Sequence, residues 1–198
     1  MTSMSPLWLR MRRSALNLIE DCNGIAATEF AVIVPVMLVM FFGTVEISSG
    51  VAANRKVTLM ARTLSDLTSQ SASVDDTAIN NFFAASTAIL TPYDPAPTRS
   101  TITELFVDPA THAARVQWSK GSAPHAVTST LVIPAQLNVD GTYVIFSEVS
   151  YLYRPAVGYV MGQAGVNLGD HAYTRPRQGT CVFYPVIPAG NPPQCPTL

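Results

Sequence analysis

The chain has 198 residues, of which 48% are hydrophobic and only 13% are charged, and its formal net charge at pH 7 is −1. This near-neutral balance, without a run of basic residues, argues against nucleic-acid binding. After a short leader and one membrane helix are set aside, about 150 residues remain, which is enough for one globular domain.

The leader, residues 1–24, carries Arg10, Arg12 and Arg13 before the most apolar part of the chain. Basic residues on this flank hold the N-terminal end of a membrane helix in the cytoplasm. Arg55 and Lys56 on the other flank make the charge asymmetry modest. The sequence therefore predicts a cytoplasmic N-terminus and a C-terminal part on the far side of the membrane.

Residues 25–45 form an apolar segment whose only ionisable side chain is Glu29. A helix of this length spans about 30 Å, the thickness of the hydrocarbon core of a bilayer. Pro35 removes the hydrogen bond to the carbonyl of Ala31, so we expect a kink there, although such a kink can also be without consequence. The segment is predicted to be a transmembrane helix.

Two kinds of processing are compatible with this segment. A signal peptidase would cut after a small-x-small site such as Gly50-Val51-Ala52, but the long leader, the long apolar run and Glu29 argue against an ordinary signal peptide. The other cut falls before the apolar segment, between Gly24 and Ile25. There a glycine is followed by an apolar residue, with Glu29 fifth and Phe30 sixth after the cut.

This pattern resembles a type IV prepilin-class processing site, and the stretch from Gly24 to about Arg62 resembles the TadE-like (TadE/TadG) pseudopilins of tight-adherence (Flp) pilus systems. The resemblance implies cleavage after Gly24 by a prepilin peptidase. It also implies that Glu29 and Phe30 act in assembly, where Glu29 guides the registration of subunits. The implied partners are the peptidase, other pilins and pseudopilins, inner-membrane assembly proteins and the lipid bilayer; no cofactor is implied.

The chemistry of Glu29 is compatible with that role. Cleavage would create an α-amino group on Ile25, about 6 Å along the helix from Glu29. The carboxylate can pair with the amine of its own chain or of a neighbour, and pairing offsets the cost of placing both in the bilayer. The alternative is a lone glutamate at the boundary between lipid and water.

Beyond the membrane, residues 46–72 are predicted to continue the helix as an amphipathic segment. Glu46 marks the boundary with water, and apolar residues recur at near-helical spacing at Ile47, Val51, Val57, Met60, Leu64 and Leu67. Residues 73–198 then form the outer domain. Ser73-Val-Asp-Asp76 signals the start of a second helix, which ends before Pro92.

Strand patterns dominate the rest of the outer domain. The sequence predicts a hairpin from Thr101–Asp108 and Ala114–Ser119, with Val116 and Trp118 on the same face of the second strand. The secondary structure of Ser122–Asn138 is ambiguous. The clearest strand pattern is that of Thr142–Tyr153, which is rich in aromatic and β-branched residues. After a glycine-rich stretch at 157–169, Asp170–Arg177 is expected to pair with the sheet. The tail from Cys181 is proline-rich and is predicted to be irregular. The fold class is therefore α+β: a long helical spine packed on a mostly antiparallel sheet, as in pilins.

The three cysteines are unevenly placed. Cys22 precedes the apolar segment, whereas Cys181 and Cys195 lie far beyond it. This distribution suits a Cys181–Cys195 disulfide in an oxidising compartment and one thiol on the reducing side. It does not suit a zinc site, which needs ligands at short spacing.

Catalytic motifs are not apparent in the sequence. His112, His125 and His171 are widely spaced, and no phosphate loop, nucleophile elbow or zinc-protease motif occurs. Six tyrosines favour packing in the core or sheet over an interaction surface: Tyr143, Tyr151, Tyr153, Tyr159, Tyr173 and Tyr184.

Together, these features predict a non-enzymatic, minor pseudopilin of the inner membrane with a periplasmic C-terminal domain. The alternatives are an uncleaved, membrane-anchored periplasmic binding or scaffold domain and, less in keeping with the pattern, a secreted hydrolase.

Overall fold

The chain combines two helices with one antiparallel sheet in the part described by its computed structural model, which comprises residues 24–155, 165–185 and 195. The elements are α1 (Gly24–Ser69), α2 (Asp76–Thr87), a 3₁₀ turn (Ala88–Leu90), β1 (Thr98–Val107), β2 (Ala114–Gly121), β3 (Thr130–Leu131), β4 (Tyr143–Tyr153) and β5 (Val166–Thr174). The predicted leader lies outside the described residues.

The chain divides into two compact units between Val45 and Glu46. In the first unit, the described residues form the apolar half of α1. By length and composition, α1 can cross a membrane, and its apolar window has no residue buried inside the protein. It is the one candidate span in the described part of the chain, consistent with a membrane anchor.

In the second unit, the remainder of α1 buries one stripe of side chains. Its members recur every three or four residues, the spacing of one helix face: Ala53, Val57, Met60, Ala61, Leu64, Ser65, Thr68 and Ser69. This confirms the amphipathic pattern from Val57 to Leu64. The pattern was wrong at Ile47 and Val51, whose side chains are 71% and 51% exposed.

The sheet has the strand order β3-β2-β1-β4-β5, and every neighbouring pair is antiparallel. One face packs on the helices through Ile102, Trp118, Ile145 and Val149, which belong to the same buried cluster as the stripe of α1. The other face of the curled sheet carries a second cluster, centred on Leu105, Val116, Val144 and Phe146 and packed against Leu131 and Ile133. The α+β prediction is confirmed.

A β-bulge corrects the predicted faces of β2. Trp118 lies opposite Glu104, but Val116 rather than Gln117 lies opposite Leu105, so Gln117 is an extra residue in the strand. The alternation of side chains is interrupted there. Val116 and Trp118 therefore belong to the clusters on opposite faces of the sheet, not to one face.

The ends of the predicted elements also differ in places. Asp75 caps α2, because its side chain accepts a hydrogen bond from the amide of Ala78 at 2.7 Å. Strand β5 begins at Val166, inside the predicted glycine-rich stretch, and ends at Thr174, before Arg177.

The described start of the tail is part of the core, which sequence reasoning missed. Val182 and Tyr184 are 0% and 1% exposed, and Phe183 forms a parallel bridge with Ser73. The predicted Cys181–Cys195 disulfide is present. It packs against Phe106 and Tyr143 at one end of the sheet.

Candidate processing and assembly segment

The apolar half of α1 presents an uncovered hydrophobic surface. Apart from Val34, its large apolar residues are between 46% and 73% exposed, and they occur on all sides of the helix: Ile25, Phe30, Val32, Ile33, Val36, Met37, Leu38, Val39, Met40, Phe41, Phe42 and Val45. A soluble protein seldom exposes so large a continuous apolar surface. A helix that is apolar on all sides requires a lipid or protein environment to cover it.

The predicted processing site lies at the start of this helix. Gly24 is its first residue, and both Gly24 and Ile25 are exposed. A Cβ atom placed on Gly24 would meet no atom within 4 Å. The peptide bond between the two residues therefore has no steric cover from the described part of the chain.

Glu29 and Phe30 lie one turn further along α1, and both are exposed. Glu29 forms no hydrogen bond or ion pair with any described residue, whereas Thr28 beside it donates its hydroxyl to the carbonyl of Ile25 at 2.8 Å. Residues four apart share one helix face, so Glu29 lies on the same face as Ile25. An amine on Ile25 would therefore lie about one helical turn from the Glu29 side chain.

Pro35 lies inside α1, which continues through it. Its missing N–H removes a donor for the carbonyl of Ala31. The kink expected at this position stays a prediction.

These residues lie together on one helix that matches a known family along its length. The family model of TadE-like proteins matches residues 24–65. The match contains Gly24, Ile25, Glu29, Phe30 and Pro35, and it confirms the resemblance seen in the sequence. It ends within α1, so α2 and the sheet lie outside it. No curated protein and no solved structure matches the chain.

Just beyond its apolar half, the helix that the family model matches is bonded to two tyrosines, one in the sheet and one after the 3₁₀ turn. The Tyr153 hydroxyl donates to Oε1 of Glu46 at 2.8 Å, and the Tyr93 hydroxyl donates to the carbonyl of Ser49 at 3.0 Å. Burial, followed by the bond to Glu46, raises the pKa of Tyr153 to about 12. A Cβ atom placed on Gly50 would lie 3.6 Å from Cε1 of the Tyr153 ring. Sequence reasoning placed Glu46 at the boundary but did not find its tyrosine partner.

Elsewhere in the core, the buried side chain of Glu104 is hydrogen-bonded to the start of the C-terminal tail. Glu104 is 1% exposed, and its Oε1 accepts a hydrogen bond from the Val182 amide at 2.6 Å. The Trp118 indole N–H donates a hydrogen bond to the carbonyl of Val182 at 3.0 Å. Desolvation raises the pKa of Glu104 to about 8, against the opposing effect of the Val182 amide.

The histidines form no metal site in the described part of the chain, where no group of three suitable ligands occurs. His125 bonds to Glu148 at 2.5 Å and so holds the segment after β2 against the sheet. His171 lies opposite Glu148 on β5. His112 forms a separate surface pair with Asp140 at 2.8 Å.

Proposed function

We propose that the chain is a non-enzymatic minor pseudopilin of a bacterial tight-adherence (Flp) pilus, processed after Gly24 and involved in pilus assembly and adhesion. The observation that carries this proposal is the TadE-like match over a helix whose first half is apolar and exposed. In this proposal, residues 25–45 span the inner membrane and residues 46–72 continue the spine. Residues 73–198 form the periplasmic domain, which can also be displayed on the fibre.

Processing by a prepilin peptidase would hydrolyse the peptide bond between Gly24 and Ile25. The leader would remain in the cytoplasm, and Ile25 would gain a free amine that is protonated at neutral pH. Glu29, which has no partner among the described residues, would then pair with this amine or with that of a neighbouring subunit. In either case the pair would fix the axial position of the helix against its neighbours.

Assembly would follow from covering the apolar surface. In lipid, helices associate through close packing and polar contacts rather than through the hydrophobic effect. The exposed side chains from Phe30 to Val45 offer this packing surface to other pilins, pseudopilins and inner-membrane assembly proteins. Glu29 would supply the polar contact, and Pro35 would set the bend of the helix.

A matched pair of variants tests the processing step. Gly24 and Gly43 both lie in α1, and a Cβ on either meets no atom within 4 Å. We expect Gly24→Leu to retain its leader when it is expressed with a prepilin peptidase, and Gly43→Leu to be shortened like the unsubstituted protein. The readout is intact mass of the membrane-extracted protein.

The outcomes separate the alternatives. Unchanged shortening of Gly24→Leu would contradict processing after Gly24. A full-length, membrane-bound protein in the presence of active peptidase would favour the uncleaved binding or scaffold domain. A mature chain that begins near Asn54 would favour a secreted protein.

A second pair tests Glu29. Glu29→Gln keeps the size of the side chain but removes its charge, so we expect normal processing and loss of incorporation into sheared pili. Thr28→Ala is the control, because the Thr28 hydroxyl bonds within its own helix. Equal incorporation of Glu29→Gln and the unsubstituted protein would contradict the assembly role of the carboxylate.

A further inference from the structure

Two arginines near the start of the outer unit lack a partner among the described residues. Arg55 and Arg154 are exposed, and neither forms an ion pair or a hydrogen bond with any residue that the structure describes. Arg154 directly follows Tyr153, which bonds to Glu46. Arg55 lies nine residues beyond Glu46 in α1. Both cations therefore lie at the end of the unit where the apolar half of α1 joins it.

The helix surface below Arg55 is apolar. Ile47 and Val51 are 71% and 51% exposed and precede Arg55 by eight and four residues, so the three share one helix face. Helical side chains lean toward the N-terminus, which places the Arg55 guanidinium over the turn that contains Val51. Along this face, apolar side chains come first and a cation follows.

This order matches the layers of a leaflet. The polar zone outside the hydrocarbon core is roughly 5–7 Å thick. Val51 lies about 8 Å along the helix from Glu46, so a guanidinium that leans back over the Val51 turn lies at the outer edge of this zone. Arginine keeps its stem on apolar surface and its guanidinium in the polar layer, where it binds phosphate oxygens in bidentate fashion.

Cations outnumber carboxylates at this end of the unit. Glu46 accepts the hydrogen bond from Tyr153, and Asp94 accepts one from the Ala96 amide at 3.0 Å, and both keep their negative charge. Lys56, next to Arg55 in α1, adds a third cation to the two arginines. The net charge of these groups is therefore positive.

We propose that Arg55 and Arg154, together with Ile47 and Val51, bind the phosphate groups of anionic phospholipids in the leaflet from which α1 emerges. The inference rests on the membrane anchoring proposed above. It adds a selective contact with the headgroups, which anchoring by apolar side chains does not require.

The test uses the full-length protein in nanodiscs that contain phosphatidylcholine and a minor fraction of phosphatidylglycerol. Spin-labelled lipids of each class report the relative affinity of the protein for the anionic headgroup. We expect a preference for phosphatidylglycerol that Arg55→Gln and Arg154→Gln each reduce, by up to about fivefold per arginine near the surface. The double variant should show a weaker preference than either single variant, and the basic residues of the leader account for what remains.

Arg175→Gln is the matched control. Arg175 is also exposed and without an ion pair among the described residues, but it follows Thr174, which bonds to Ser65 at 2.7 Å. Ser65 lies roughly 28 Å along α1 from Glu46. This variant should keep the full lipid preference.

Four outcomes would overturn the proposal. One is incorporation into nanodiscs without any preference for phosphatidylglycerol, which leaves the anchoring itself intact. Another is an equal loss of preference in Arg175→Gln. The third is an unchanged preference in the double variant accompanied by loss of self-association, which would assign the arginines to a protein contact. Failure to enter nanodiscs would refute the anchoring as well.

Discussion

Replacing Glu104 by glutamine should stabilise the outer unit, and the gain should grow with pH. The Glu104 carboxyl is buried in the core, with the Val182 amide as its hydrogen-bond donor. Glutamine has nearly the same shape and keeps an oxygen to accept that bond. It cannot ionise, so it imitates the protonated acid at every pH.

The size of the effect follows from the two pKa values. Desolvation raises the pKa of Glu104 from its ordinary 4.5 to about 8 in the folded protein. Between these values the native state holds a proton that the unfolded chain has released, so the free energy of unfolding falls as pH rises. The loss begins near pH 4.5 and levels off above pH 8. At about 1.36 kcal/mol per pH unit, it amounts to about 3 kcal/mol at pH 7 and at most about 5 kcal/mol above pH 8.

The assay is denaturant unfolding of the disulfide-intact protein in detergent at several pH values from 5 to 9. Trp118 is a suitable reporter, because its indole bonds to Val182 beside Glu104. Trp8→Phe in all samples removes the other tryptophan signal. The gain in unfolding free energy of Glu104→Gln over the reference should be about 1 kcal/mol at pH 5 and increase steadily to pH 8.

Asp108→Asn provides the control for removal of a carboxylate. The Ala110 amide is the main cause that lowers the pKa of Asp108 below its ordinary value. It is therefore ionised in both states throughout the assay, and its replacement should shift stability by a constant amount. A difference between Glu104→Gln and the reference that does not change with pH would refute the reasoning.

Three further variants test the packing of the outer unit, and the stability of each is measured by chemical unfolding. Gly121→Ala should destabilise by more than about 1 kcal/mol, because the residue has φ 140° and its Cβ would lie 2.2 Å from the Ser100 carbonyl oxygen; unchanged stability would contradict the described turn. Cys181→Ser with Cys195→Ser should remove about 2–4 kcal/mol, and equal stability of oxidised and reduced protein would argue against a structural disulfide. Leu64→Ala, at a site with 0% exposure, should lose about 2–5 kcal/mol, whereas a loss below about 1 kcal/mol would show that it is not core.

The sequence was most informative where one physical signal dominates. A membrane-length apolar run, a helical stripe from Val57 to Leu64 and an alternating aromatic strand at 143–153 each predicted their element correctly. The cysteine distribution predicted the Cys181–Cys195 disulfide. The processing pattern at Gly24 and Glu29 singled out the segment that the TadE-like family model matches.

The sequence was least informative where long-range packing decides. A bulge at Gln117 leaves no local mark, so strict alternation placed Val116 and Trp118 on one face. Nothing near Glu104 in sequence shows that Val182, 78 residues further along the chain, bonds to it. The proline content of the tail likewise concealed the burial of Tyr184.

The most direct test of the proposed function is the intact mass of the mature protein, extracted from the membranes of cells that assemble the pilus. The proposal predicts a chain that starts at Ile25 and lacks the mass of residues 1–24. A mature chain that retains those residues, or one that begins beyond the apolar segment, would contradict it.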